Sequence, residues 1–150
     1  DGTFITVKEK SPQGVNVNAI TFGGSITVSS LFTPNLGVLD LSDVQVLSTV
    51  SSLVGTADQD NLLLISQESG RLLEVDRAGN VLSQFDFLYS DSAEGITIDG
   101  DGIVYVVAEN GSTPTLYVLS PSAVPLPGTA LFLGSGLAGL AGHGRRRKVA

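Results

Sequence analysis

Three stretches of this 150-residue chain repeat one pattern. They are FITVKEKSPQGVNVN from Phe4, LLLISQESGRLLEVD from Leu62 and VYVVAENGSTPTLYVLS from Val104. Each reads as an apolar strand, a glutamate, a turn and a second strand. The turns carry residues suited to them: Ser11 and Pro12 in the first, Ser69 and Gly70 in the second, Asn110 to Pro114 in the third. A chain that repeats hairpins in this way is confined to antiparallel sheets, because short turns force consecutive strands to pair with each other.

The segments between the hairpins extend the pattern. Arg77-Ala78-Gly79-Asn80 reads as a turn into VLSQFDF, where Val81, Leu82, Phe85 and Phe87 supply a strand. In AEGITIDGDGIVYVV, Ile96 and Ile98 alternate with Thr97 and Asp99 before a Gly-Asp-Gly turn. Leu39, Leu41, Val44 and Val46 suggest another strand, whereas Ser48 to Gly55 fits strand or loop equally. No part of the body holds a helical period, so the expected fold class is all-β. Multi-stranded repeats of about 40 to 50 residues are typical of propeller blades. The glutamates Glu9, Glu68 and Glu109 lie 59 and 41 residues apart. The body, residues 1–123, therefore accommodates about two to three blades, an incomplete propeller with open sheet edges.

Charge divides the chain in two. Four of the eight basic residues lie in the last 27 positions and all fifteen acidic residues lie before them, which leaves the body at a formal charge of −11. Such a surface repels phosphate backbones and attracts divalent cations, so nucleic acid is not an expected partner. Cysteine is absent, and His143, the only histidine, lies among the terminal arginines. Triads built on Cys or His are thereby excluded from the body, and no G-x-S-x-G elbow, P-loop or dinucleotide fingerprint occurs.

The pieces LDLSDVQ, NLLLISQESGRLLEVDRAGNVLSQF, DSAEGITIDGDGIVYVVAEN and LYVLS, between Leu39 and Leu119, resemble the SdiA-regulated family of six-bladed β-propellers. FITVKEKSP near the start is also similar to a blade of that family. The resemblance implies an extracytoplasmic domain that binds calcium in some readings, with roughly half of a full propeller present. The chain begins at Asp1 without an initiator Met or a signal peptide, so the expectation is the C-terminal part of a longer chain, or a processed form.

The tail, residues 124–150, combines Val124-Pro125-Leu126-Pro127, an apolar run and the basic cluster Arg145, Arg146, Arg147 and Lys148. From Val124 to Gly142 no residue is charged, a span of 19 residues. About 20 residues suffice to cross a bilayer core as a helix, so a C-terminal transmembrane helix is expected over about 128–142. The basic cluster would stay cytoplasmic, leaving the body across the membrane. This tail resembles the PEP-CTERM sorting signal of Gram-negative bacteria, with Leu126 where that family most often has Glu. The resemblance implies an exosortase as processing partner and a membrane-anchored, extracytoplasmic location.

Within the body, Glu94 precedes Gly95 and a strand, and Glu9, Glu68 and Glu109 recur at strand ends. If the repeat brought these four to one axis, Ca²⁺, which takes about six to eight oxygen ligands, would neutralise them. The plainer alternative, solvated glutamates bonding strand-end amides, is favoured. Asp99-Gly100-Asp101-Gly102 starts like a calcium loop, but its twelfth position is Asn110 rather than Glu, so a hairpin turn is expected. Asp58 to Asn61 reads as a polar turn. The reading as a whole is a noncatalytic envelope binding module with calcium as candidate ion. The alternative is a metal-dependent hydrolase of phosphate esters or lactones with Glu94 and Glu109 as ligands.

Overall fold

The computed structural model describes residues 3–20, 24–87, 92–111 and 113–121. The sorting motif, apolar run and basic cluster lie outside the described residues. Among the described residues, no helix is long and apolar enough to cross a membrane.

Among the described residues, ten strands form three antiparallel sheets in simple chain order. The first sheet holds β1 (Thr3–Lys8), β2 (Gly14–Ile20) and β3 (Ile26–Phe32). The middle sheet holds β4 (Asp43–Val46), β5 (Leu62–Ser66), β6 (Arg71–Val75) and β7 (Val81–Asp86). The third holds β8 (Ser92–Ile98), β9 (Val104–Asn110) and β10 (Thr113–Leu119). The three hairpins of the sequence repeat are β1–β2, β5–β6 and β9–β10, each in continuous antiparallel register. Short turns account for this order except between β4 and β5, which pair although segment 47–61 separates them.

The sheets stack, and the stacking makes the core. One face of the middle sheet, with Leu62, Leu64, Leu73 and Val75, packs on Val15, Ile5 and Val7 of the first. Its other face, with Leu63, Ile65 and Leu72, packs on Ala93, Ile96, Val106 and Ala108 of the third. This arrangement explains why LLLIS has no polar alternation: all five residues of β5 are buried, as expected for a strand covered on both faces. Contacts between the middle and third sheets concentrate on their first strands, β4 and β8, and β4 also meets β1.

The segment of ambiguous sequence, 48–55, is neither strand nor open loop. It holds 3-10 turns at Leu47–Thr49 and Ser51–Leu53 and ends in a turn at Val54 and Gly55, ahead of a third 3-10 turn at Ala57–Asp60. Leu47 and Val50 are buried, while Ser48, Ser51 and Ser52 are exposed, a spacing that a strand's period of two would not satisfy. The segment crosses to the third sheet, where the Ser51 amide donates to Gly100 O (2.8 Å). Among the strand expectations before it, Val44 and Val46 lie on β4. Leu41 and Leu39 precede that strand, the first buried and the second exposed.

Candidate functional site

The four glutamates singled out above are all exposed. Glu9 follows β1 and lies 3.9 Å from the exposed Lys10. Glu68 sits in the turn between β5 and β6. Glu94 and Glu109 are brought to neighbouring strands of the third sheet, where Glu109 pairs with Ser92 and Glu94 falls at the register shift between Ala93 and Gly95. Thus two of the four share one end of one sheet, and the other two stand on separate hairpins. Among the described residues no three of His, Cys, Asp or Glu gather where a metal ion could be held. Calcium at these glutamates would therefore be met by exposed carboxylates singly or as the Glu94–Glu109 pair, with water completing its shell.

Beside that pair the structure places a carboxylate that sequence reasoning did not single out. Asp43 begins β4 in the middle sheet, and its Oδ1 accepts from the Val44 amide (2.8 Å). Its Oδ2 reaches across to the third sheet and accepts from the Ile96 amide (2.8 Å). β8 is an edge strand of its sheet, so amides on its outer side are open to such an acceptor, and Glu94 is the residue that the bulge leaves out of the ladder. Gly95 adds room: a Cβ there would sit 3.8 Å from Asp43 Oδ2. Asp43, Gly95 and Ile96 so form the seam where the first strands of two sheets meet.

Asp40 is a second carboxylate whose role only the fold reveals. It is buried, and it accepts from the Ser66 hydroxyl, the Glu68 amide (2.9 Å) and the Ser42 hydroxyl (3.2 Å). Ser42 Oγ in turn accepts from the Gln67 amide (3.2 Å), and Ser66 Oγ from the Ser69 amide (3.3 Å). Buried polar atoms need partners, and this network supplies them all from neutral donors. Its effect is to tie the β5–β6 turn, and with it Glu68, to the segment entering β4.

Two further aspartates build the same turn twice. Asp76 accepts from the Ala78 and Asn80 amides (2.9 and 2.8 Å), and Asp99 from the Asp101 and Ile103 amides (3.0 and 2.9 Å). Each turn has a glycine three residues after its aspartate, Gly79 at φ 88° and Gly102 at φ 81°, in the left-handed region that favours glycine. The Asp99-Gly100-Asp101-Gly102 stretch is therefore a hairpin turn whose first carboxylate is committed to backbone amides. The Asn80 side chain and amide hold the Asp76 carboxyl below its ordinary range. Asp99 is lowered by the Ile103 amide first, with the Tyr105 hydroxyl assisting at 3.0 Å, and that same bond raises Tyr105. The D-x-x-G spacing in DRAG and DGDG is the signal that identifies both turns in the sequence.

The carboxylates with resolved partners thus hold turns and sheets in place. Glu94 and Glu109 are exposed and share one end of the third sheet. No curated protein matches the chain. The profile of one family does match, over residues 1–119, the span that contains all three sheets and both carboxylate networks. The chain belongs to the SdiA-regulated family, in keeping with its blade-like antiparallel sheets.

Proposed function

We propose that this chain is an extracytoplasmic β-propeller-type binding module, carried to the cell envelope by its C-terminal tail, with calcium as its candidate ion. The observation that carries a binding role is the division of labour among its carboxylates. Asp40, Asp43, Asp76 and Asp99 are occupied by backbone amides and hydroxyls, while Glu94 and Glu109 stay exposed at one end of the third sheet. The body has neither Cys nor His, and the exposed oxygens of its glutamates suit an ion or a polar ligand.

Calcium titration of the full chain, followed by calorimetry and thermal shift, tests the ion. Binding that weakens in Glu94→Gln and Glu109→Gln supports the assignment, and an isothermal trace without heat or shift removes it. The envelope reading rests on the order of the Pro motif, the apolar run and Arg145, Arg146, Arg147 and Lys148, with an exosortase as processing partner. Deleting residues 124–150 should release the body from membrane fractions, and unchanged fractionation would defeat that reading.

A further inference from the structure

The direction in which β10 leaves its sheet decides from which end of the body the tail departs. Thr113 opens β10 opposite Asn110, and Leu119 closes it opposite Val104, which pairs in turn with Ile98. The chain therefore exits at the end of the third sheet that holds the Asp99–Ile103 turn, while Ser92 and Glu109 lie at the other end. Pro121 keeps the exit there: a Cβ on Gly102 would lie 3.7 Å from its Cγ and 3.8 Å from Val50 Cγ1.

The middle sheet has the same two ends. Asp43, which begins β4, accepts from the Ile96 amide, while Thr49 and Ser51, just past the end of β4, donate to Ile98 O and Gly100 O. β4 and β8 thus run side by side in one direction. Segment 47–61 lies at the tail end with the Asp99–Ile103 turn, and the turn that carries Glu68 lies at the far end with Glu94 and Glu109. Both ends are rims of strands rather than faces of sheets, so further sheets in the stack would stand beside them without covering them.

Length limits where the tail can go. Six residues, 122–127, separate Pro121 from the apolar run expected to begin at about 128. Fully extended at about 3.3–3.6 Å each, they reach about 20–22 Å. Running back along the seven residues of β10 alone takes about 23 Å, and the headgroup layer adds about 5–7 Å on one side of the hydrocarbon core. We propose that the bilayer faces the end formed by segment 47–61 and the Asp99–Ile103 turn, and that Glu68, Glu94 and Glu109 stand at the end turned away from it. The inference rests on the reading of the tail as a membrane anchor and adds the side from which a ligand arrives. An ion or polar ligand meets the glutamate end from the space beyond the membrane, clear of competing headgroup phosphates. The bilayer end exposes Asp58, Asp60 and Asp101 against a single half-buried Arg77, so an anionic leaflet does not attract it and the short tether sets the orientation.

The chain has no cysteine, so single ones report position in the full chain. Val54→Cys and Thr113→Cys replace exposed residues, one at each end, and take a dye before reconstitution into phosphatidylcholine vesicles with spin-labelled headgroups in both leaflets. Circular dichroism and a cooperative melt establish that each variant is folded. Flotation reports anchoring, and headgroup quenching should be several-fold stronger at Val54→Cys than at Thr113→Cys. Inserting about 20 Gly and Ser residues after Ser122, with an r.m.s. span of about 22–27 Å, should bring the two close to equal. A chain that does not float overturns the anchor reading and this inference with it. A chain that floats with equal or reversed quenching before the insertion, or with an unchanged ratio after it, overturns the orientation alone.

Discussion

β5 and β9 are the same strand of the repeat in two sheets, and they differ in what lies on either side. In β5 all five residues are buried, whereas β9 alternates, with Val106 and Ala108 buried and Val107 and Glu109 exposed. β1 alternates as well, with Ile5 and Val7 partly covered and Phe4 and Thr6 open. Intrinsic strand preference is similar in all three, so the contrast comes from neighbours. A strand between two sheets loses water on both faces and reads as a continuous apolar run, while a strand at the end of the stack needs only every second residue apolar.

Core truncation should break this comparison most forcefully. Leu64→Ala in β5 should cost about 2–5 kcal/mol, and Val107→Ala in β9 under about 1 kcal/mol. Urea denaturation of both variants measures the difference, and equal costs would mean that the stacking does not distinguish the two strands. Next in size is Asp40→Ala, which strips the Ser66 hydroxyl and the Glu68 amide of their buried acceptor. A loss on the order of 2–3 kcal/mol is expected, visible as a lower denaturation midpoint at unchanged slope.

The repeated aspartate turn offers a sharper version of the comparison. Both glycines have positive φ, but a Cβ on Gly79 would lie 2.6 Å from the Phe32 ring, while one on Gly102 meets only ordinary contacts at 3.7 and 3.8 Å. Gly102→Ala should therefore cost roughly 1–2 kcal/mol from backbone strain alone, and Gly79→Ala clearly more. Similar thermal midpoints for the two variants would show that Phe32 moves away freely. Asp43→Ala tests the seam: removing the acceptor of the Ile96 amide should cost about 1–2 kcal/mol, with faster amide exchange at Ile96 as its local signature.

The smallest expected effect is on acid stability. Asp76 and Asp99 have carboxyls below the ordinary value of 3.8, so their folded forms bind protons less readily than the unfolded chain. Their contribution is present above that ordinary value and is lost as pH falls through the lowered folded values. Between pH 6 and pH 2 the wild type should lose thermal stability more steeply than the Asp76→Asn, Asp99→Asn double variant. Parallel curves would show that these turns do not contribute to the acid transition.

Much of the fold was legible because it is local. Gly70, Gly79 and Gly102 mark three of the turns that require a left-handed residue, and the strands between them follow from alternation or apolar runs. The 3-10 segment escaped because Leu47, Val50 and Leu53 show neither a strand's period nor enough turns for a helix's. The site was less legible. Glu94 and Glu109 stood out as acidic strand ends, but Asp40 and Asp43 look like ordinary loop residues in LDLSDVQ, and their partners lie as far as 53 positions away.

By itself, then, the sequence determined an all-β body of repeated hairpins, its turns, its acidic surface and an apolar, basic-ended tail. These depend on neighbours within a few residues, where turn geometry and side-chain period dominate. Only the tertiary structure decided which faces are covered, which carboxylates are used up in holding sheets together and which remain open. Those outcomes depend on which sheet stacks against which, and stacking brings together residues that no local period or spacing connects.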